Sequence, residues 1–393
     1  MIKLFVPQIK DLLKSHFDSF APIVKDICSL YSDLLLAEYK GIYLTTPKTR
    51  LLKTHYKNID GNYINGVVSI LTGNRGLKNE DIIKLLKHGI SINIKPEYNR
   101  ICNELLMLLQ KLADEVKAIL IGEPDKLEGL SISITNDFTN LLDTEANKKD
   151  VTKILNSIFN YDYFSDREHD KWGAYMLTKE LNIGVCPYCN RNYTTTIIAK
   201  KKVIKKGGTT TITEYKTIRP HLDHFFSQRD YPILAISFYN LIPCCSVCNS
   251  SLKGPIIFKL TTHLHPYLYG FGNDSTFTFK YLPKKTNSSY RPLKINLDVA
   301  QCQLNTQIIG SKDCFLLETI YQVHTDTVQE VIHKKIAYSN KYLEIISKQY
   351  RGLGLSRKDL YKLAFGAYLN EEDFSKRPLS KLIRDIANHL ELL

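Results

Sequence analysis

The chain has 393 residues, 44% of them hydrophobic and 24% charged, which is ordinary for a globular protein and enough for two or three structural units. No apolar run approaches the ~18–20 residues needed to cross a bilayer, so no transmembrane helix and no membrane partner are expected. Its 53 basic and 40 acidic residues give a formal charge of +13, which favours a polyanionic partner but fits a merely basic surface equally well.

The opening residues Met1 to Pro7 lack a long apolar core followed by a small-residue cleavage site, so no secretory signal is expected and the predicted location is cytoplasmic. Over residues 1–160 the pattern is helical. Ile101, Leu105, Leu108, Leu109, Leu112, Val116 and Ile119 recur at helical spacing and predict one buried stripe. Val151, Ile154, Leu155, Ile158 and Phe159 predict another. Both are read as packing, without chemistry.

From Tyr193 the pattern changes. Thr194 to Ile204 and Thr209 to Ile218 are rich in threonine and β-branched residues, with Lys205-Lys206-Gly207-Gly208 between them, and predict a β-hairpin. Lys200, Lys201, Lys202, Lys205, Lys206, Lys216 and Arg219 crowd this stretch against a single Glu214. They form either a phosphate-contacting ribbon or an ordinary solvated face. A loop-rich stretch, Lys284 to Pro292, precedes further helical spacing from Cys314 to about Tyr350, and Ser356-Arg-Lys-Asp359 has the form of a capping box with Asp in place of Glu or Gln. The fold class is α+β, with a helical region over 1–165, a compact centre over 166–280 and a helical region over 281–393.

Five of nine cysteines fall in two short stretches, and Cys28, Cys102, Cys302 and Cys314 are scattered. In a reducing compartment the scattered ones read as small buried hydrophobes and the clustered ones as metal ligands. Cys186-Pro-Tyr-Cys189 and Cys245-Ser-Val-Cys248 are two C-x-x-C knuckles, 55 residues apart. Two such knuckles complete a closed tetrahedral shell of thiolates, which suits structural Zn2+. Cys244 breaks the spacing and is left out. A redox pair is the competing reading, but it needs a βαβ setting that this stretch lacks.

Between the knuckles the chain reads His221-Leu-Asp223-His224-Phe-Phe, then Tyr239-Asn240-Leu-Ile-Pro243, and after Cys248 comes Asn249-Ser-Ser-Leu-Lys253-Gly254. This pattern resembles the HNH (His-Me finger, ββα-metal) nucleases, in the branch pinned by two C-x-x-C pairs, over roughly residues 186–254. The Lys-Gly lies one residue further from Asn249 than the family's usual spacing. The resemblance implies a ββα-metal core and metal-dependent endonuclease activity on the phosphodiester bonds of DNA, with RNA as the other polymer. His224 would be the general base, Asp223 and Asn249 would hold a catalytic Mg2+ or Mn2+, and Asn240 would brace the loop that orients His224. Lys200, Lys201, Lys202, Arg219 and Lys253 would contact nucleic acid. Related domains with helical flanks belong to bacterial defence against phage, some with a regulatory ATPase; this chain has no G-x-x-x-x-G-K-[ST] loop, so ATP dependence would come from a partner.

The residue types are chemically apt. An imidazole can deprotonate water near neutral pH, and a hard cation held by an Asp and an Asn oxygen neutralises charge at the scissile phosphate. In a strand Asp223 and His224 point to opposite faces, so they share a cleft only where the strand ends or bends. A short helix beginning near Cys245 would put Cys245 and Cys248 on one side and Asn249 about 100° away. His265 could approach the ion, and His221 could line the groove or take part in the chemistry. The alternative function is a zinc-stabilised nucleic-acid-binding or adaptor module without cleavage; a cysteine-based redox or metal sensor is a third reading.

Overall fold

The structure is a computed structural model, and it describes residues 1–40, 99–142, 144–204, 211–283, 291–337, 345, 348 and 356–392. These residues form helices and three two-stranded sheets, an α+β protein. They group into two compact units, each built from separated stretches: Gln8–Met176 with Phe226–Leu241, and Met1–Pro7 with Leu177–Phe225 and Ile242–Leu393. This differs from a division into three consecutive regions. The cysteine-bearing centre and the C-terminal helices fall in one unit, because hydrogen bonds between distant stretches, which local periodicity does not encode, tie them together.

The first unit is helical: α1 (Ile9–Lys40), α2 (Asn99–Asp114), α3 (Val116–Ile121), α4 (Pro124–Asn136), α5 (Glu145–Ile158), α6 (Tyr161–Ser165) and the first three residues of α7 (Ala174–Leu181). The apolar stripe expected over 101–120 is buried at Leu105, Leu108, Leu109, Leu112, Val116 and Ile119. It is carried by two helices that meet at Glu115, and Cys102 rather than Ile101 is its first fully buried member. The expected stripe of α5 is buried at Val151, Ile154, Ile158 and Phe159. Thr144 caps that helix by accepting from the Asn147 amide. At the centre of this unit His16 is enclosed by the rings of Phe20, Phe164, Trp172 and Phe238.

In the second unit β1 (Ile197–Ile204) and β2 (Thr211–Ile218) pair antiparallel, with Lys200 opposite Tyr215 and Lys201 opposite Glu214. The Gly-Gly turn expected between them lies outside the described residues. β3 (His221–His224) pairs with β4 (Leu241–Cys244), and a seven-residue π-helix, Val247–Lys253, follows. β5 (Ser275–Tyr281) and β6 (Leu293–Val299) form the third sheet; Leu293, Ile295 and Leu297 are buried on alternate positions of β6. The unit continues with α8 (Asn305–Cys314), α9 (Leu317–Ile320), α10 (Thr325–Ala337), α11 (Arg357–Phe365) and α12 (Ser380–His389). The capping box read from the sequence is present, with Ser356 and Asp359 exchanging side-chain bonds for each other's backbone N–H. Much of the stretch expected to be helical up to Tyr350 lies outside the described residues. α12 packs on β5, where the Asp385 carboxylate accepts from the Phe277 amide at 3.0 Å. No described helix is long and apolar enough to cross a membrane.

Candidate active site and its cysteine metal centre

Each knuckle is shaped by a tight backbone turn. At the first, the Cys186 amide donates to the Asn192 carbonyl at 2.9 Å and the Asn190 amide donates to the Cys186 carbonyl at 2.8 Å. Asn190 closes the turn with φ of 50°, a left-handed conformation that Asn tolerates. At the second, the Asn249 amide donates to the Cys245 carbonyl at 3.0 Å. The sulfurs of Cys186, Cys189, Cys245 and Cys248 converge, all buried and all within 4.8 Å of one another. Four thiolates ~2.3 Å from a central ion stand about 3.8 Å apart, so the cluster is of the right size for a tetrahedral metal ion such as zinc. The Asn192 side-chain amide donates to the Cys245 sulfur at 3.3 Å, an outer contact that favours the thiolate. Burial pushes the Cys186 thiol up, whereas hydrogen bonds from Cys186, Cys189 and Cys248 hold Cys245 low. Among the scattered cysteines, Cys28 and Cys102 are buried, while Cys302 and Cys314 are half-buried. Cys244 stays out of the cluster: it is buried beside Asp223, whose backbone bonds to it, and burial raises its thiol.

The π-helix makes the odd spacing of Lys253-Gly254 intelligible. Its widened turn bonds the Gly254 amide to the Asn249 carbonyl, five residues back, at 3.1 Å, and so absorbs one more residue than an α-turn. Gly254 ends the helix at φ 46° and ψ −125°, a conformation that disfavours any side chain. Helix and strand then meet residue by residue. In β3, His221 and Asp223 lie two apart and share a face. Asn249 faces His221, its Nδ2 lying 3.2 Å from His221 Nδ1, and Lys253 faces Asp223.

Asp223 faces Lys253 and Tyr188. Its carboxylate is 5% exposed, receives the Lys253 ammonium at 2.8 Å on each oxygen, and accepts the Tyr188 hydroxyl at 2.6 Å. A cation held by Asp223, as the resemblance implies, would have to displace this pair. The expected contact of Lys253 with nucleic acid is corrected. The residue is 4% exposed, its ammonium also meets the carbonyls of His224 and Phe225, and it lies over the Phe258 ring at 4.6 Å. A charge consumed in the interior is not available to a phosphate.

His224 ends β3 half-buried, where the strand stops. Asn240 is fully buried at the end of a short 3-10 helix, Phe238–Asn240, and braces the connection between β3 and β4: its Oδ1 accepts the Phe226 amide at 2.7 Å, and its Nδ2 donates to the carbonyls of Phe226 at 3.1 Å and Leu234 at 2.8 Å. His221 and the Asn249 amide are on the solvent side of the strand–helix contact. His265 lies in the interior at 1% exposure, its ring 4.3 Å from that of Phe225, so the expected approach to an ion or phosphate is corrected too. His263 stacks on Phe258 at 3.8 Å, and burial, with Lys253 nearby, lowers its pKa to about 4. Lys200 is exposed on β1; the side chains of Lys201 and Lys202 lie outside the described residues. Arg219 is half-buried and donates to the Pro220 carbonyl at 3.1 Å.

The residues that sequence reasoning passed over are those that hold this arrangement. Tyr188, inside the first knuckle, bonds Asp223 and stacks on Phe315 at 4.4 Å. Tyr321 donates to the Cys189 carbonyl at 2.6 Å, and the Ile2 amide donates to the Pro187 carbonyl at 2.8 Å. Only Tyr188 carried a signal, as a bulky residue between two ligands. Comparison with protein-family models, with curated proteins and with solved structures returned no match.

Proposed function

We propose that this chain is a metal-dependent endonuclease of the HNH type, with the four-cysteine cluster holding a structural Zn2+. One observation supports the reading above the others: the strand ending in His224 and the helix carrying Asn249 are fixed against each other beside a closed cysteine cluster, with His221 and the Asn249 amide left at the surface. A closed thiolate shell has no open position for water, so its task is to set the helix. The chemistry falls to His224, the base toward water, and to Asn249, which contributes to holding a divalent cation. That cation would neutralise charge at the scissile phosphate. Asn240, through Phe226, fixes the backbone two residues beyond His224. The hairpin bearing Lys200, together with the net charge of +13, supports a nucleic-acid substrate, DNA ahead of RNA. A role in anti-phage defence under an ATPase partner follows from the resemblance alone.

A second reading, a nucleic-acid-binding module without cleavage, is favoured by the Lys253–Asp223 pair, which neutralises a carboxylate that the family uses at the cation. Plasmid DNA and structured RNA incubated with Mg2+ or Mn2+ decide between the two. Cleavage by the wild type and its loss in His224→Ala, with zinc retained, is the expected result. Binding without nicking under any divalent ion would establish the second reading, and full activity in His224→Ala would remove that residue as the base.

A further inference from the structure

Gly366 ends α11 at φ 67°, a left-handed conformation that glycine adopts freely, and the chain turns there so that Tyr368 comes back against the helix it has left. A 3-10 helix, Glu371–Lys376, follows. Residues of this helix and of α11 line a cavity of about 350 Å3, in the lower part of the size range of small-molecule sites. Lys362 of α11 stands over the Tyr368 ring at 4.7 Å, and Lys376 and Arg377 approach the same ring at 5.6 and 5.8 Å. The ring attracts each of the three cations, but the cations repel one another. The two carboxylates of the lining are engaged locally: Asp359 accepts from Ser356 in the capping box, and Asp373 pairs with Lys376 at 2.6 Å. Lys362 forms no ion pair among the described residues. Three positive charges against two negative ones leave a surplus that an anion would neutralise.

The rest of the lining is flat or neutral. Tyr361, Tyr368 and Leu369 give aromatic and apolar surface, and Asn370 gives an amide that can both donate and accept. The wall is also held from behind. In the 3-10 helix the Phe374 carbonyl accepts from the Asn190 side chain at 2.9 Å, and the Ser375 carbonyl would stand 3.0 Å from a Cβ placed on Gly184. The wall is thus seated against the turn that carries Cys186 and Cys189, and a preformed wall needs little ordering when a ligand enters.

We propose that this cavity binds a nucleoside phosphate, with its phosphate at Lys362, Lys376 and Arg377 and its base against Tyr361, Tyr368 and Leu369. A planar ring joined to an anion uses both halves of the lining, whereas phosphate alone or an uncharged nucleoside uses one. The site binds and carries out no chemistry, and it stands whether or not the chain cleaves DNA.

The test is calorimetric titration of the full-length, zinc-loaded protein with the 5′-monophosphates and 5′-triphosphates of adenosine, guanosine, cytidine and uridine. Inorganic phosphate and the parent nucleosides are separate arms. At least one nucleotide is expected to bind once per chain, about tenfold or more tighter than phosphate or its own nucleoside. Lys362→Met is expected to weaken that binding by about tenfold or more, since a hydrogen bond to a charged group is worth more than a neutral one. Lys335→Met, at an exposed lysine in the last turn of α10, is expected to change it by less than about twofold. If Lys362→Met does not unfold cooperatively, Lys376→Met, at an exposed position, carries the same comparison. No nucleotide binding by the wild type, equal binding of phosphate or nucleoside alone, or equal losses in Lys335→Met and Lys362→Met would each overturn the proposal. His224→Ala separates this cavity from the proposed nuclease site. Nucleotide affinity kept in His224→Ala and lost in Lys362→Met supports the cavity, and the reverse pattern overturns it.

Discussion

The Lys253 ammonium lies 2.8 Å from both carboxylate oxygens of Asp223, in a place where neither side chain is more than 6% exposed. Two opposite charges removed from water hold each other there, and each would be costly alone. Lys253→Met should therefore lower stability by roughly 3–5 kcal/mol, because it leaves an unpaired buried carboxylate. Adding Asp223→Asn should recover much of that loss. Denaturant unfolding of the two single variants and the double checks it; independent, additive losses would mean that the pair is not coupled.

Asn240 supplies three hydrogen bonds to backbone groups of Phe226 and Leu234 in the interior. Asn240→Ala strands those groups without water, at ~1–3 kcal/mol for each group left unsatisfied. The variant should unfold at lower denaturant and should also lose its proposed cleavage, through displacement of the strand that ends in His224. Normal stability with normal hydrogen-exchange protection at Phe226 would count against the brace.

The cysteine cluster predicts a stoichiometry. One zinc per chain is expected by elemental analysis, and Cys248→Ser should lower that content sharply. Structural zinc sites in small peptides bind with apparent free energies of ~10–16 kcal/mol, so stripping the ion with a strong chelator should cost the fold cooperativity, with recovery on adding zinc. Mild oxidation that leaves the zinc content unchanged would exclude a redox role, whereas rapid release of the ion would support one.

His16 is a buried neutral imidazole, and its protonation opposes folding of its unit. Its Nε2 lies 2.7 Å from the Ile236 carbonyl and its Nδ1 accepts the Trp172 indole N–H at 3.1 Å, so the ring is neutral with the proton on Nε2. Burial lowers its pKa from 6.5 to about 4, against the opposing effect of the Ile236 bond. The unfolded chain then binds the proton first as pH falls. The His16 contribution is complete above about pH 6.5 and is lost on descending toward pH 4, by roughly 3 kcal/mol in all. Thermal midpoints measured across that window should fall steeply in the wild type and less steeply in His16→Gln; parallel slopes would assign the acid response elsewhere.

Much of this architecture was legible in the residues. Spacing alone marked Cys186, Cys189, Cys245 and Cys248, because metal geometry constrains the chain within a single turn. The stripes of α2, α3 and α5 and the Ser356 cap were legible for the same local reason. What stayed hidden was the direction of each polar side chain. Asp223 in a sequence is a carboxylate beside a histidine; only the π-helix, which brings Lys253 under it, makes it a buried ion pair. The extra residue before Lys253-Gly254 was visible, but its consequence depended on the backbone path.

Asn190 ties the first cysteine turn to the last helix. Its side chain donates to the Phe374 carbonyl and accepts the Lys381 amide, while its own carbonyl takes the Leu379 amide, so the first cysteine turn is stitched to the entry of α12 across some 190 residues. The first cysteine turn is thus held by a segment far beyond the second knuckle. A fragment trimmed to residues 186–254 would carry every ligand and still lack the scaffold that orients two of them. Nicking before α12 would therefore loosen the first cysteine turn as well as the contact of that helix with β5.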